Sequence, residues 1–162
     1  EIVSNWRKDI IAAIEYLGKK GIESSHIVLF GWSTGGGAVL LTTAEYEKAL
    51  GAAVVYYTGC TDILFSRMSK IQTPVLWVQA EYDDWPFCTK NDCIPRVEIL
   101  QKNPLPIEFY LVKGARHCFD DTSAPRTPSV TRSTSFTVAY SPAATESAWK
   151  VTVDFLKRYR KN

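Results

Sequence analysis

The sequence predicts a parallel α/β sheet with helices on both faces. Short apolar runs at 27–30, 52–57 and 74–80 are nearly continuous, as strands covered on both faces are, and a further run at 107–112 alternates. Helical spacing fills most of the intervals and both ends, giving the order α-β-α-β-β-α-β-α with one short connector. The first strand also enters its helix through a sharp glycine-rich turn, HIVLFGWSTGGGAVLL over 26–41. One domain over 1–162 accounts for the length, and 46% apolar with 22% charged residues is ordinary for a globular chain.

Each element has its own signal. Residues 3–20 place Trp6, Ile10, Ala13, Ile14 and Leu17 on one helical face, closed by Lys19, Lys20 and Gly21. His26 begins the first strand, 27–30, and a helix continues over 38–50 after the turn. The second strand, 52–57, leads into a loop, 58–71, with room for one short helix. PVLWVQA, 74–80, is the third strand. Pro95 is expected in a first helical turn, where its missing N–H costs nothing, with Val97, Ile99 and Leu100 following and an end at Asn103 and Pro104. Strand 107–112 precedes a loop over 113–140 rich in Ser, Thr, Pro and Arg, and so long a connection is usually functional. Ser141 and Pro142 suit an N-cap and first turn, opening a helix that carries Ala144, Ala148, Trp149, Val153, Phe155 and Leu156.

Composition narrows the function. The 19 basic and 17 acidic residues are dispersed, with a basic cluster only at 157–161, so nucleic-acid binding has little support. No apolar run reaches the length of a membrane span. The chain opens on Glu1 and not on methionine, so an upstream targeting segment would lie out of sight. Cys60, Cys88, Cys93 and Cys118 lack zinc-site spacing, and two histidines are too few to complete one, so no metal or cofactor is expected. An even cysteine count predicts at least one disulfide and export to an oxidising compartment, with buried free thiols in the cytosol as the alternative.

The glycine-rich turn carries the chemistry. GWSTG, residues 31–35, follows a strand and opens a helix, the context of a G-x-S-x-G nucleophile elbow. Gly31 and Gly35 are expected to give the space a strained turn needs, and Gly36 and Gly37 to let helix and strand approach. Ser33 would then stand exposed above a helix N-terminus, with the Thr34 N–H and the helix dipole facing any oxyanion formed there. The competing reading is a βα turn whose serine only caps the helix.

A serine hydroxyl needs a base and a group to orient that base. His26 begins the strand that Ser33 ends, so it belongs to the opposite edge of the sheet and suits a surface role. His117 follows the last strand and is the remaining base. In the α/β-hydrolase order the acid lies between serine and histidine. Asp83 follows the third strand at the same edge; Asp84 is the runner-up, and a solvated turn aspartate is the bland role for either. Trp32, Trp85 and Phe119 flank these positions and are candidates to wall an apolar acyl pocket, with simple packing as the commoner role of aromatic residues in such turns.

GWSTGG, the strand end YYTGC, the loop QAEYDDWPFC, the segment KGARHCFDD and the closing YSPAATESAWKVTVDFL together resemble the C-terminal part of the dienelactone hydrolase family. The resemblance covers nearly the whole chain and implies Ser33 as nucleophile, Asp83 as acid and His117 as base. The family's type enzymes have cysteine where this chain has Ser33, which points away from their lactone and towards an ordinary ester, within a general expectation of carboxylic ester or lactone hydrolysis. They also carry an arginine for substrate carboxylate four residues after the histidine, where this chain has Asp121, so an acidic substrate is not implied. A disulfide bracing the acid loop is plausible, with the pairing open.

Family members have several strands before the helix that opens this chain, and a preceding loop gives the second oxyanion N–H. The chain is thus expected to be a fragment of a longer protein or a reduced version whose other half is absent or supplied by another chain. Strand 27–30 then becomes an unguarded apolar edge, which another copy or a complementary chain should cover. Two other functions compete with a serine esterase: a prolyl-oligopeptidase-like peptidase, against which the closing helix argues, and a non-catalytic fragment or assembly module.

Overall fold

In the computed structural model, which describes residues 2–102, 105–130 and 135–159, four parallel strands form one sheet in the order β1-β2-β3-β4. They are β1 (Val28–Trp32), β2 (Ala52–Tyr56), β3 (Val75–Ala80) and β4 (Ile107–Val112). The central strands β2 and β3 are buried at every residue, which is why their sequences are continuously apolar. Alternate residues of β2 still divide between the faces. Ala53 and Val55 join Leu40, Met68, Trp77 and Val97 on one side, while Val54 and Tyr56 join Val78, Phe119, Ala148 and Phe155 on the other.

Helices cover both faces. α1 (Ile2–Lys19) packs on α2 (Ser33–Glu45), and α3 (Asp62–Arg67) and α4 (Lys90–Gln101) lie on the same side as α2. α5 (Pro142–Tyr159) covers the opposite face, with Ser141 Oγ accepting from the Ala144 N–H at 3.3 Å. A small antiparallel pair, β5 (Ser129–Val130) and β6 (Thr137–Val138), interrupts the long loop after β4. Cys60 and Cys93 form a disulfide that ties the loop after β2 to α4, while Cys88 and Cys118 are free. Among the described residues no helix is long and apolar enough to cross a membrane.

Several boundaries differ from expectation. β1 extends to Trp32 and α2 begins at once with Ser33 and ends at Glu45, so Leu50 lies outside the helix, buried with Ile14 and Ile27. Apolar character marks burial there, not helical state. α4 starts at Lys90 because Thr89 caps it, its hydroxyl accepting from the Asp92 N–H at 3.2 Å, and because Cys93 is held by the disulfide. Pro95 therefore falls inside the helix instead of in its first turn. Asn103 and Pro104, the expected end, lie outside the described residues.

Candidate active site

The elbow is visible in the backbone. Trp32 is extended, and Ser33 turns abruptly to φ 51, a left-handed conformation that costs a non-glycine residue about 1–2 kcal/mol. Packing holds it there. A Cβ on Gly31 would lie 2.7 Å from the Gly35 carbonyl oxygen and 2.8 Å from Val39 Cγ2; one on Gly36 would lie 2.7 Å from Thr58 Cβ. Gly35, expected to share this duty, would meet nothing within 4 Å, so Gly31 and Gly36 are the two glycines the turn requires. Thr34 is in the first turn of α2, where backbone N–H groups have no intrahelical partner.

The histidine arrives from β4 through a turn at Gly114, φ 72. His117 is 1% exposed; its Nε2 lies 3.0 Å from Ser33 Oγ and its Nδ1 2.8 Å from Asp83 Oδ2. The structure thus brings Ser33, His117 and Asp83 together in one hydrogen-bonded line. Asp83 Oδ1 also accepts from the Trp85 N–H at 3.0 Å. Behind it stands Gln79, whose amide donates to the Cys88 carbonyl at 2.6 Å and, more distantly, to Asp83 Oδ2 at 3.4 Å, while its oxygen accepts from Trp77 Nε1 at 3.2 Å. Burial raises the Asp83 carboxyl above its ordinary range, with the His117 hydrogen bond and charge opposing. The rings of Tyr57, Phe136 and Trp85 surround the imidazole at 4.6, 4.9 and 5.1 Å.

Asp84 is otherwise engaged. Its carboxylate accepts from the Thr137 N–H at 2.7 Å and hydroxyl at 2.6 Å, fastening β6 beside the acid loop. Asp121 accepts from the Ser123 N–H at 2.8 Å and hydroxyl at 2.7 Å, a local turn that holds its carboxyl below the usual range. His26 is exposed in a turn before β1, at the other end of the sheet from Ser33. Among the described residues no group of His, Cys, Asp or Glu side chains could hold a metal ion.

The expected pocket walls separate. Trp32 is 43% exposed and lines an open groove of about 610 Å³ with Trp6, Phe30, Ser33, Thr34 and Gly35. Trp85 meets His117 edge to face. Phe119 is fully buried between the rings of Tyr56 and Tyr57, at 5.7 and 5.4 Å, so it belongs to the core and does not wall the groove. Sequence reasoning passed over Gln79, Tyr57, Asp120 and Phe136. A polar residue inside an apolar strand was the available signal for Gln79; Phe136 in its loop carried none.

A hydroxyl, imidazole and carboxylate in this line can pass the serine proton to Nε2 while the carboxylate holds the Nδ1 proton. A profile of the dienelactone hydrolase family matches residues 2–160. No curated protein sequence matches the chain. Among solved structures, Arabidopsis thaliana SOBER1 superposes with TM-score 0.68 at 19% identity, over 98% of this chain and 65% of that one. A dienelactone hydrolase-like promiscuous phosphotriesterase from metagenomic libraries superposes with TM-score 0.77 at 18% identity, over 96% of this chain and 62% of that one. At these identities the likeness is one of fold, and the chain spans less than two thirds of either protein's length.

Proposed function

The chain belongs to the dienelactone hydrolase family, and from that premise we propose that it is a serine hydrolase of carboxylic esters or lactones, acting through an acyl-enzyme on Ser33. Ser33 Oγ attacks the carbonyl carbon as its proton passes to His117 Nε2. Asp83 holds the imidazole by Nδ1 and offsets the charge it gains. The tetrahedral oxyanion faces the Thr34 N–H and the positive end of α2. Collapse expels the alcohol, which takes the proton from His117. Water then attacks the acyl-serine with His117 again as base, releasing the acid and restoring Ser33.

The observation that carries this reading is the pair of contacts at 3.0 and 2.8 Å joining three residues that follow three different strands. Serine at the elbow and the self-contained turn of Asp121 favour an uncharged ester over an acidic lactone. The Cys60–Cys93 disulfide suits an oxidising compartment, so export is part of the proposal. The family match favours this reading over the prolyl-oligopeptidase alternative. A non-catalytic module remains the second reading, favoured by the openness of the groove beside Ser33. A fluorophosphonate probe separates the two. Labelling of Ser33 that disappears in His117→Ala is expected, and an unlabelled wild-type protein would overturn the hydrolase reading.

A further inference from the structure

We infer that Asp120 is a positioning residue that sets the gap between Ser33 and His117. The inference rests on the serine hydrolase reading and adds a member to its site. Both oxygens of this half-buried carboxylate are engaged: Oδ1 accepts from the Tyr57 hydroxyl at 2.6 Å and Oδ2 from Trp32 Nε1 at 2.7 Å. The two donors come from different pieces of the site. Trp32 ends β1 and is bonded directly to Ser33. Tyr57 follows β2, and its ring lies 4.6 Å from that of His117. Asp120 itself is three residues beyond His117, joined to it through Cys118 and the buried Phe119. One carboxylate therefore fastens the elbow, the end of β2 and the histidine loop to one another.

The backbone explains why such a fastening is needed. Ser33, Tyr57 and Cys118 all have positive φ, at 51, 37 and 59. Strained residues of this kind persist only where the surroundings over-determine them. Two charge-assisted hydrogen bonds, each stronger than a neutral one, give that constraint at the point where the three strained segments meet. Tyr57 stays a donor throughout the working pH range, because burial and the Asp120 carboxylate push its hydroxyl far above the ordinary phenol range. Asp120 makes no contact with Ser33 or His117 side chains among the hydrogen bonds of the site; its effect passes through Trp32 and Tyr57.

The test compares wild type with Asp120→Ala, Asp120→Asn and Tyr57→Phe. Three readouts are taken: the rate of Ser33 labelling by a fluorophosphonate, kcat and KM for p-nitrophenyl acetate, and the indole N–H resonance of Trp32, assigned with Trp32→Phe. Displacing a nucleophile by about 1 Å can cost on the order of 100-fold, so Asp120→Ala should lose roughly 10- to 100-fold in kcat and labelling rate with KM nearly unchanged. Its Trp32 indole resonance should move upfield. Asp120→Asn should recover part of the rate, because the amide oxygen can still accept from Trp32 and the Tyr57 hydroxyl can turn to accept from the amide. Tyr57→Phe should slow labelling several-fold and leave the indole resonance in place. A folded Asp120→Ala protein that labels at the wild-type rate, or changes KM alone, overturns the inference while leaving the hydrolase reading intact. If Asp120→Ala does not fold, a wild-type labelling rate in Tyr57→Phe overturns it instead. An unlabelled wild type removes the hydrolase reading, and this inference with it.

Discussion

The two edge strands of the sheet are finished in opposite ways. β4 carries Glu108, paired with Arg158 of α5 at 2.7 Å, and Tyr110, whose hydroxyl meets Ser147 Oγ at 2.6 Å. On its side of the site, Asp83 and His117 are buried and Asp84 holds β6 against the acid loop. β1 reads VLFGW and carries no charge. Val28 and Trp32 are 45% and 43% exposed, and the neighbouring Trp6 and Trp149 are exposed as well. Edges that face water are usually guarded by charge, proline, a bulge or a cover. β4 has the charge and, among the described residues, β1 has none of these. The Asp83 and His117 half of the candidate site is therefore closed, while the Ser33 half lies open beside an unguarded strand.

The strongest way to test this contrast is to cut the hydrogen bond between Ser33 and His117, which joins the two halves directly. Ser33→Gly removes the hydroxyl and also relieves the left-handed strain. Turnover should fall on the order of 10⁴-fold or more, while stability in urea should rise by about 1 kcal/mol, the sterically imposed cost of φ 51 in a non-glycine residue. Loss of turnover with loss of stability would show that Ser33 is held by interactions other than those described above.

The contrast also explains what could be read in the sequence. Strands β2 and β3 were legible because both faces of each are buried, and the order of Ser33, Asp83 and His117 followed from their places after β1, β3 and β4. The start of α4 was not, because Thr89 and the Cys60–Cys93 disulfide, a partner 33 residues away, outweigh the boundary preference of Pro95. Phe119 was misjudged since adjacency to His117 says nothing of direction: with Cys118 at φ 59 the chain turns and sends Phe119 into the core. The double bond acceptance by Asp120 depends on residues 63 and 88 positions away, which no local pattern encodes.

Next in size is a pair of glycine substitutions on the two sides of α2. Gly36→Ala forces a Cβ to within 2.7 Å of Thr58 Cβ and should cost about 1–3 kcal/mol by overpacking. Gly35→Ala meets nothing within 4 Å among the described residues and should gain about 0.5–1 kcal/mol from helix propensity. Chemical denaturation of both variants measures the difference. A destabilised Gly35→Ala would break the contrast, since it would mean that polypeptide already fills the β1 side.

A smaller effect belongs to the closed half. Burial raises Asp83, so the folded protein holds this proton more tightly than the unfolded chain. The resulting stability is fully present below the ordinary carboxylate range and is lost as pH rises through the raised value. Asp83→Asn should flatten the stability–pH curve across that window and abolish ester turnover throughout. An unchanged slope in the variant would place the titration on another group.

The smallest effect on the chain's own stability is expected at the open edge, at Val28. It starts β1 opposite Ala52 and lines a cavity of about 460 Å³ between the strand and α5, with Val153, Leu156 and Lys157. A lysine there can extend its head into water along the cavity, so Val28→Lys should change the unfolding free energy of a single chain by no more than about 0.5 kcal/mol. Its effect on association is another matter. We propose that another copy or a complementary chain covers β1, and burying an unpaired ammonium under such a cover would cost several kcal/mol. Wild-type protein should thus scatter light as more than one chain, and Val28→Lys should shift it towards the monomer with its fold retained. A wild-type monomer at micromolar concentration, with the β1 amides exchanging freely, would show that this bare edge needs no cover.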